Sequence, residues 1–298
     1  MPSKTSKSQG VSGLPRLPAR PVDAHKGIFG RVLVVGGSLA MPGSVALVAN
    51  AAYRSGAGLV RIFCPASAQP IAMGLAMCCT SAPADQTPNG HFALKARRQL
   101  LEQAAEHDVL AMGPGMGQSP ACARLVETAL VQTGKPVVLD ADGLNNLAWL
   151  GGVARLAGPL VITPHPGEAG RLLRAFSLNV KLSGEPRSRQ AAARALADHL
   201  GCIVVLKGNG TVVTDGKRVY VNETGNPGMA SGGTGDVLTG VIAALVGQKL
   251  SPYDAAVLGT YLHGLAGDIA ADRLGQHSLM AGDMLGTLPE AFMRHASH

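Results

Sequence analysis

Short, wholly apolar runs alternate along this chain with longer stretches whose apolar residues recur at helical spacing. The runs at 31–35, 59–63, 108–112, 136–139, 160–163 and 202–206 predict strands. Between or after them, the stretches at 44–55, 120–132, 144–150, 167–175 and 187–199 predict helices. That order implies β-α-β units and a mainly parallel sheet covered by helices on both faces, an α/β fold. The pattern changes at 208–221, where two short apolar runs flank an Asp215-Gly216 turn and predict an antiparallel hairpin added to the sheet. Three further helical segments follow at 233–246, 252–274 and 280–294. No internal repeat, long linker or compositional break interrupts the pattern. One domain is therefore expected over 27–298, with 1–26 a flexible or surface-wrapping extension.

Composition narrows the class. With 298 residues, 46% of them hydrophobic and 15% charged, the chain has the profile of a compact α/β enzyme and not of a disordered or fibrous protein. The formal charge of +7 falls largely near the N-terminus and around Lys181 to Arg194, and no Lys/Arg stripe interleaves with aromatics, so no nucleic-acid partner is expected. A net positive field still favours a polyanionic substrate such as a nucleotide. The five cysteines are odd in number and form no CxxC pair, which suits reduced, mostly buried thiols and a cytoplasmic protein. Every apolar run is broken well before the roughly 20 residues of a membrane span. Residues 1–27 lack the apolar core of a secretory signal.

Candidate chemistry lies where strands are predicted to end, the place at which open α/β sheets gather ligands. The richest segment is 226–240, NPGMASGGTGDVLTG, in which glycines and small polar residues lead into an apolar helix. Glycines there let N–H groups turn toward an anion at the helix N-terminus, and Asp236 stands at the mouth of that cradle. A carboxylate beside a phosphate site needs a task, such as taking a proton from an attacking hydroxyl or holding a metal. The alternative is a plain turn with a helix cap.

Upstream loops carry similar signals. Gly36 to Ser44 (GGSLAMPGS) and Gly113 to Gly117 (GPGMG) would bring backbone close to a ligand, although either is compatible with a simple turn. GPGMG is neither a Walker A loop nor a dinucleotide fingerprint. Asp140 and Asp142 end a predicted strand, where they hold Mg²⁺ through water or cap the next helix. In TPHPGE, two prolines fix His165, and Glu168 falls in a first helical turn. Together they either contact substrate and order metal-bound water or simply form a cap. Lys207, leaving a buried strand into Gly208-Asn209-Gly210-Thr211, is placed to reach a phosphate.

In this order TPHPGE, KGNGT and NPGMASGGTGDVLTG, together with GGSLAMPGS, RSGAGLVRI, GPGMG and VVLDADGLN, resemble the ADP/ATP-dependent NAD(P)H-hydrate dehydratases. The resemblance covers about residues 27–291 and implies a ribokinase-like three-layer α/β/α sandwich. It also implies repair of the S-epimer of hydrated NADH or NADPH: ADP or ATP, with Mg²⁺, phosphorylates the ring hydroxyl and phosphate then leaves. On this sequence it implies Asp236 as the base, with the N–H groups of Gly232 to Gly235, Gly233 and Gly235 among them, stabilising the transferring phosphoryl group. Ser44, Gly117, His165 and Asp236 would contact the hydrated cofactor. Lys207, Gly208, Asn209, Gly210, Thr211 and Gly235 would contact the nucleotide. Glu168 would be the Mg²⁺-linked acid, with His165 where related enzymes usually have asparagine. The family more often has alanine in place of Ser44, a change that a backbone contact survives.

Many family members carry a fused epimerase domain. This chain has no room for one, so a stand-alone dehydratase is expected, paired functionally with a separate epimerase and assembled as a homo-oligomer, a tetramer by the resemblance. Two other readings are a small-molecule kinase of the thiazole or hydroxymethylpyrimidine type, which would leave phosphate on its product, and a non-catalytic nucleotide-binding regulator.

Overall fold

The structure is a computed structural model and describes residues 13–297. Its centre is a nine-stranded sheet in the order β3-β2-β1-β4-β5-β6-β7-β8-β9. Strands β1 (Arg31–Val35), β2 (Leu59–Pro65), β3 (Thr80–Ala84), β4 (Val109–Met112), β5 (Val137–Leu139), β6 (Leu160–Ile162) and β7 (Ile203–Leu206) are parallel. The hairpin β8 (Val212–Thr214) and β9 (Val219–Val221) adds the antiparallel end.

Successive side chains of a strand point to opposite faces, so β1 divides its valines and leucine between two cores. Val32 and Val34 face a layer made by α1 (Pro42–Arg54), α2 (Gln69–Leu75), α8 (Thr234–Gly247), α9 (Pro252–Leu274) and α10 (Ala281–Ala296). Leu33 and Val35 face α3 (Ala96–Ala105), α4 (Pro120–Gln132), α5 (Asp142–Leu150), α6 (Pro166–Ala175) and α7 (Pro186–Leu200). The three layers match the expected α/β/α sandwich.

On the first face α1 and α8 approach until backbone meets backbone. A β-carbon at Gly240 would collide with the Val48 carbonyl and stand 2.8 Å from the Ala51 methyl. Val237 to Gly247 are all buried, so α8 is a core helix whose N-terminus alone reaches the surface.

The elements α2, β3 and α3 were absent from the sequence expectation, which left 64–107 unassigned. An edge strand needs only one covered side, and TSAPA buries Ala84 alone, so no apolar run marks it. Pro83 is tolerated there for the same reason.

Within the expected extension, residues 13–26 wrap the surface, and residues 1–12 lie outside the described region. Leu14 and Leu17 pack against the first core, and the Arg20 guanidinium lies 3.9 Å above the Phe29 ring. Of the five cysteines only Cys78 is exposed; burial pushes the Cys64 and Cys79 thiols up to about 12. Among the described residues no helix is long and apolar enough to cross a membrane.

Candidate active site

In the sheet, β1 lies between β2 and β4, so the connections leaving β1 and β4 diverge and open a crevice at their carboxyl ends. GGSLAMPGS and GPGMG are those two connections. They pack directly: Gly37 N–H donates to the Pro114 carbonyl at 2.8 Å, and a β-carbon on Gly36 would collide with that same oxygen.

The first turn of α5 braces this floor. Asp142 Oδ2 accepts from Gly117 N–H at 3.0 Å, and Asn146 donates to the Gly117 carbonyl at 2.9 Å. Both backbone polar groups of Gly117 are thus engaged within the protein. A substrate contact at Gly117 would therefore be van der Waals contact with its backbone (φ +75°), beside the His91 ring, whose Nδ1 lies 2.9 Å from where a β-carbon would stand.

A second constellation joins β5, β7 and α8. Asp140, 1% exposed at the end of β5, accepts from Lys207 Nζ at 2.6 Å and from Thr239 Oγ1 at 2.9 Å. Burying an ion is costly unless its partners are close, and here each Asp140 oxygen has one. Gly235, at the start of α8, stands against the same pair. Lys207 is held from behind: its N–H donates to the Pro164 carbonyl, and the buried Arg189 donates to the carbonyls of Leu206 and Lys207. Beyond it Gly208 and Gly210 adopt φ of +131° and +62°, bending Lys207 to Thr211 into a loop that exposes Gly208 and Asn209.

Asp236 sits in the first turn of α8 behind Gly233, the N-cap residue at φ +90°. Burial, and next the Asp140 carboxylate, push the Asp236 carboxyl up to about 7; Lys207 and a hydrogen bond from Ser44 oppose the shift. The residue is therefore poised to exchange a proton near neutrality, as a general base requires. His263 approaches the Thr234 carbonyl at 2.8 Å and steadies this turn, and burial pushes its imidazole down to about 4, so it is neutral and its Nε2 carries the donated proton. Asp268 holds the preceding loop through Gly225 N–H and the Asn226 side chain.

His165 and Glu168 form a capping box on α6. Glu168 Oε2 accepts from His165 N–H at 2.8 Å, and His165 Nδ1 accepts from Gly167 N–H at 3.0 Å. Glu168 is raised chiefly by its burial and His165 is lowered chiefly by its own. Among the described residues no three His, Cys, Asp or Glu side chains group as a metal site.

The structure thus brings Asp236 to Ser44, and Gly235 to Lys207. His165 and Glu168 share the neighbourhood through the charges of Lys207 and Asp140. Sequence reading missed that Asp140 anchors Lys207, that Asp142 and Asn146 hold Gly117, and that Arg189 and His263 support the two loops. The motif DADGLNN was the available signal, but its partners lie far away in the chain.

A three-layer α/β/α sandwich, a glycine-rich loop opening a buried helix and a carboxyl near neutrality at its rim define a class of α/β proteins that gather ligands at the carboxyl edge of the sheet. A family model described as NAD(P)H-hydrate dehydratase matches residues 32–290, and the chain belongs to that family. It is 47% identical over 280 residues to the bifunctional NAD(P)H-hydrate repair enzyme of Moorella thermoacetica, covering 92% of this chain and 51% of the relative. The chain thus spans about half the length of the curated relatives it matches. The ADP/ATP-dependent NAD(P)H-hydrate dehydratase of Bacillus subtilis, co-crystallized with ATP/Mg²⁺, superposes with a TM-score of 0.76 at 31% identity over 94% of both chains. The hydroxyethylthiazole kinase of Pyrococcus horikoshii, 17% identical with a TM-score of 0.55 over 89% of this chain and 88% of its own, shares the fold.

Proposed function

We propose that this protein restores hydrated NADH and NADPH, as the S-epimers, to NADH and NADPH at the expense of ADP or ATP. The observation that carries the reading is Asp236, held at about 7 in the first turn of α8, one residue from the glycine that faces Lys207. Asp236 takes the proton of the ring hydroxyl while its oxygen attacks the terminal phosphorus and the nucleotide departs with the bridging oxygen. The N–H groups of Gly233 to Gly235 and the Lys207 ammonium face the charge that develops on the phosphoryl group. The phosphate then leaves with its C–O electron pair, a ring proton is lost, and the double bond returns. Hydroxide leaves poorly and phosphate well, which explains why a dehydration consumes nucleotide.

In this reading His165, Ser44 and the Gly117 backbone contact the hydrated ring. Lys207 to Thr211 line the nucleotide side. Magnesium commonly binds one or two carboxylates plus substrate phosphates, and in this reading Glu168, whose Oε1 lies 3.4 Å from His165 Nε2, is the carboxylate that would order a metal-bound water. Bound there, the ion would supply neutralisation of the phosphate charge.

The bifunctional relatives suggest pairing with an epimerase that supplies the S-epimer. Buried thiols accord with a cytoplasmic setting. Exposed Ile71, Leu75 and Met77 accord with self-assembly, as a tetramer by family resemblance.

The test is incubation of purified protein with hydrated NADH, Mg²⁺ and ADP or ATP. Recovery of the near-ultraviolet absorbance of the reduced nicotinamide is expected. A stable phosphorylated product without that recovery would favour the kinase reading instead.

A further inference from the structure

The proposed substrate is a dinucleotide with a pyrophosphate and, in its NADPH form, a 2′-phosphate, yet the walls described so far are rich in acids. Asp140, Asp142, Glu168 and Asp236 are the acids of these walls, while Lys207 pairs with Asp140 and faces the nucleotide side. A polyanion entering the substrate wall needs a cation of its own. Arg171 is such a cation.

Arg171 lies one turn into α6, four residues beyond Gly167, and helical side chains lean toward the N-terminal end of their helix. Its guanidinium accordingly reaches back over Gly167, with Nη1 3.9 Å from where a β-carbon there would stand. Its charge, with that of Lys207, bears on His165. Nε donates to Asn145 Oδ1 at 2.8 Å, and Asn145 in turn donates to Asp142 Oδ1 at 3.3 Å. The other Asp142 oxygen holds Gly117 N–H. One hydrogen-bonded chain, Gly117-Asp142-Asn145-Arg171, therefore runs along the substrate wall and sets the orientation of the guanidinium.

Among the described residues Arg171 forms no ion pair with a carboxylate, unlike Arg61, Arg98, Arg124, Arg218, Arg273 and Arg294. Fixing Nε leaves both terminal nitrogens in one plane, the fork that recognises a phosphate through two parallel hydrogen bonds.

We propose that Arg171 is a phosphate-binding residue of the substrate subsite, taking a phosphate of the hydrated dinucleotide while His165 and Ser44 face its ring. The assignment rests on the reading of function above. Two phosphate groups carry the same chemistry, the bridging pyrophosphate and the 2′-phosphate, and the two cofactors separate them.

The experiment measures NADH and NADPH binding by fluorescence, and KM and kcat for both hydrated cofactors, in wild type, Arg171→Gln and Arg171→Lys. Arg171→Gln is expected to raise Kd and KM about tenfold, with kcat and the KM for ATP within about twofold, because the lost contact is made equally before and during reaction. Arg171→Lys keeps the charge but not the fork and should fall between. A loss confined to NADPH assigns the 2′-phosphate; an equal loss for both cofactors assigns the pyrophosphate. Unchanged Kd and KM for both cofactors in a folded, active Arg171→Gln would overturn the inference and leave the dehydratase reading standing. Wild-type protein that restores neither cofactor would instead sink the reading of function.

Discussion

Gly235 stands directly against Lys207: a β-carbon at this position would lie 3.1 Å from Nζ and 3.5 Å from Asp140 Oδ2. The absence of a side chain lets the start of α8 close over the ion pair and keeps the ammonium accessible to a phosphate. Gly235→Ala would force the flexible end of Lys207 to shift by a few tenths of an ångström. The expected outcome is a KM for nucleotide raised about tenfold, with stability lowered by no more than about 1 kcal/mol. Steady-state kinetics with calorimetry on the same preparation separates the two effects.

Asp236→Asn should reduce turnover by about 10²–10⁴-fold while nucleotide affinity is kept, because only proton acceptance is removed. Isothermal titration with ATP alongside the repair assay checks both halves. A variant with normal turnover would remove Asp236 from the role of base.

The same carboxyl makes stability depend on pH. Its folded-state value of about 7 exceeds the ordinary 3.8, so its favourable contribution is full below about pH 4 and is lost as the pH rises through 7. Asparagine carries no such charge. Asp236→Asn is therefore expected to be more stable than wild type at pH 8, by up to about 4 kcal/mol, with the gap narrowing toward pH 5. Urea denaturation at the two pH values measures it. Catalysis runs the opposite way, and kcat/KM should climb with pH through about 7 as the base loses its proton.

Lys207→Met leaves the buried Asp140 carboxylate with Thr239 as its remaining side-chain partner, and a loss of about 3 kcal/mol is expected. Pairing it with Asp140→Asn should recover much of that stability without recovering activity. Chemical denaturation of the two single variants and the double variant reads the coupling. A double variant no more stable than Lys207→Met would show that the pair does not act as a unit.

Gly240→Ala tests the close approach of α1 and α8 far from any ligand. The collision with the Val48 carbonyl involves rigid backbone, so overpacking should cost about 2–3 kcal/mol. The measurement is the denaturation midpoint, and an unchanged midpoint would mean that the helices separate without penalty.

Much of the architecture was legible along the chain because buried parallel strands must be wholly apolar and their helices must be periodic. Predicted ends fell within about two residues of β1, β4, β5, β6, β7, α4 and α9. The edge region 64–107 was illegible for the converse reason, since a strand with one buried residue leaves no pattern. The candidate site was legible as loops. Glycines permitting φ of +90° at Gly233, +131° at Gly208 and +75° at Gly117 announce themselves by residue type. Their partners do not: Asp140 is 67 residues from Lys207 and 99 from Thr239, and an aspartate at a strand end is equally a cap, a metal ligand or an anchor until its neighbours are known.

Fold class, family and the places where backbone approaches a ligand can thus be read along the chain, because periodicity and glycine chemistry are local. Which groups are charged, engaged or free emerges from the packed molecule. It showed Lys207 tied to Asp140, Gly117 closed by Asp142 and Asn146, and Glu168 occupied by a cap, with Asp236 driven to about 7. Protonation and partnering depend on burial and on charges contributed by distant strands, and no window of sequence contains them.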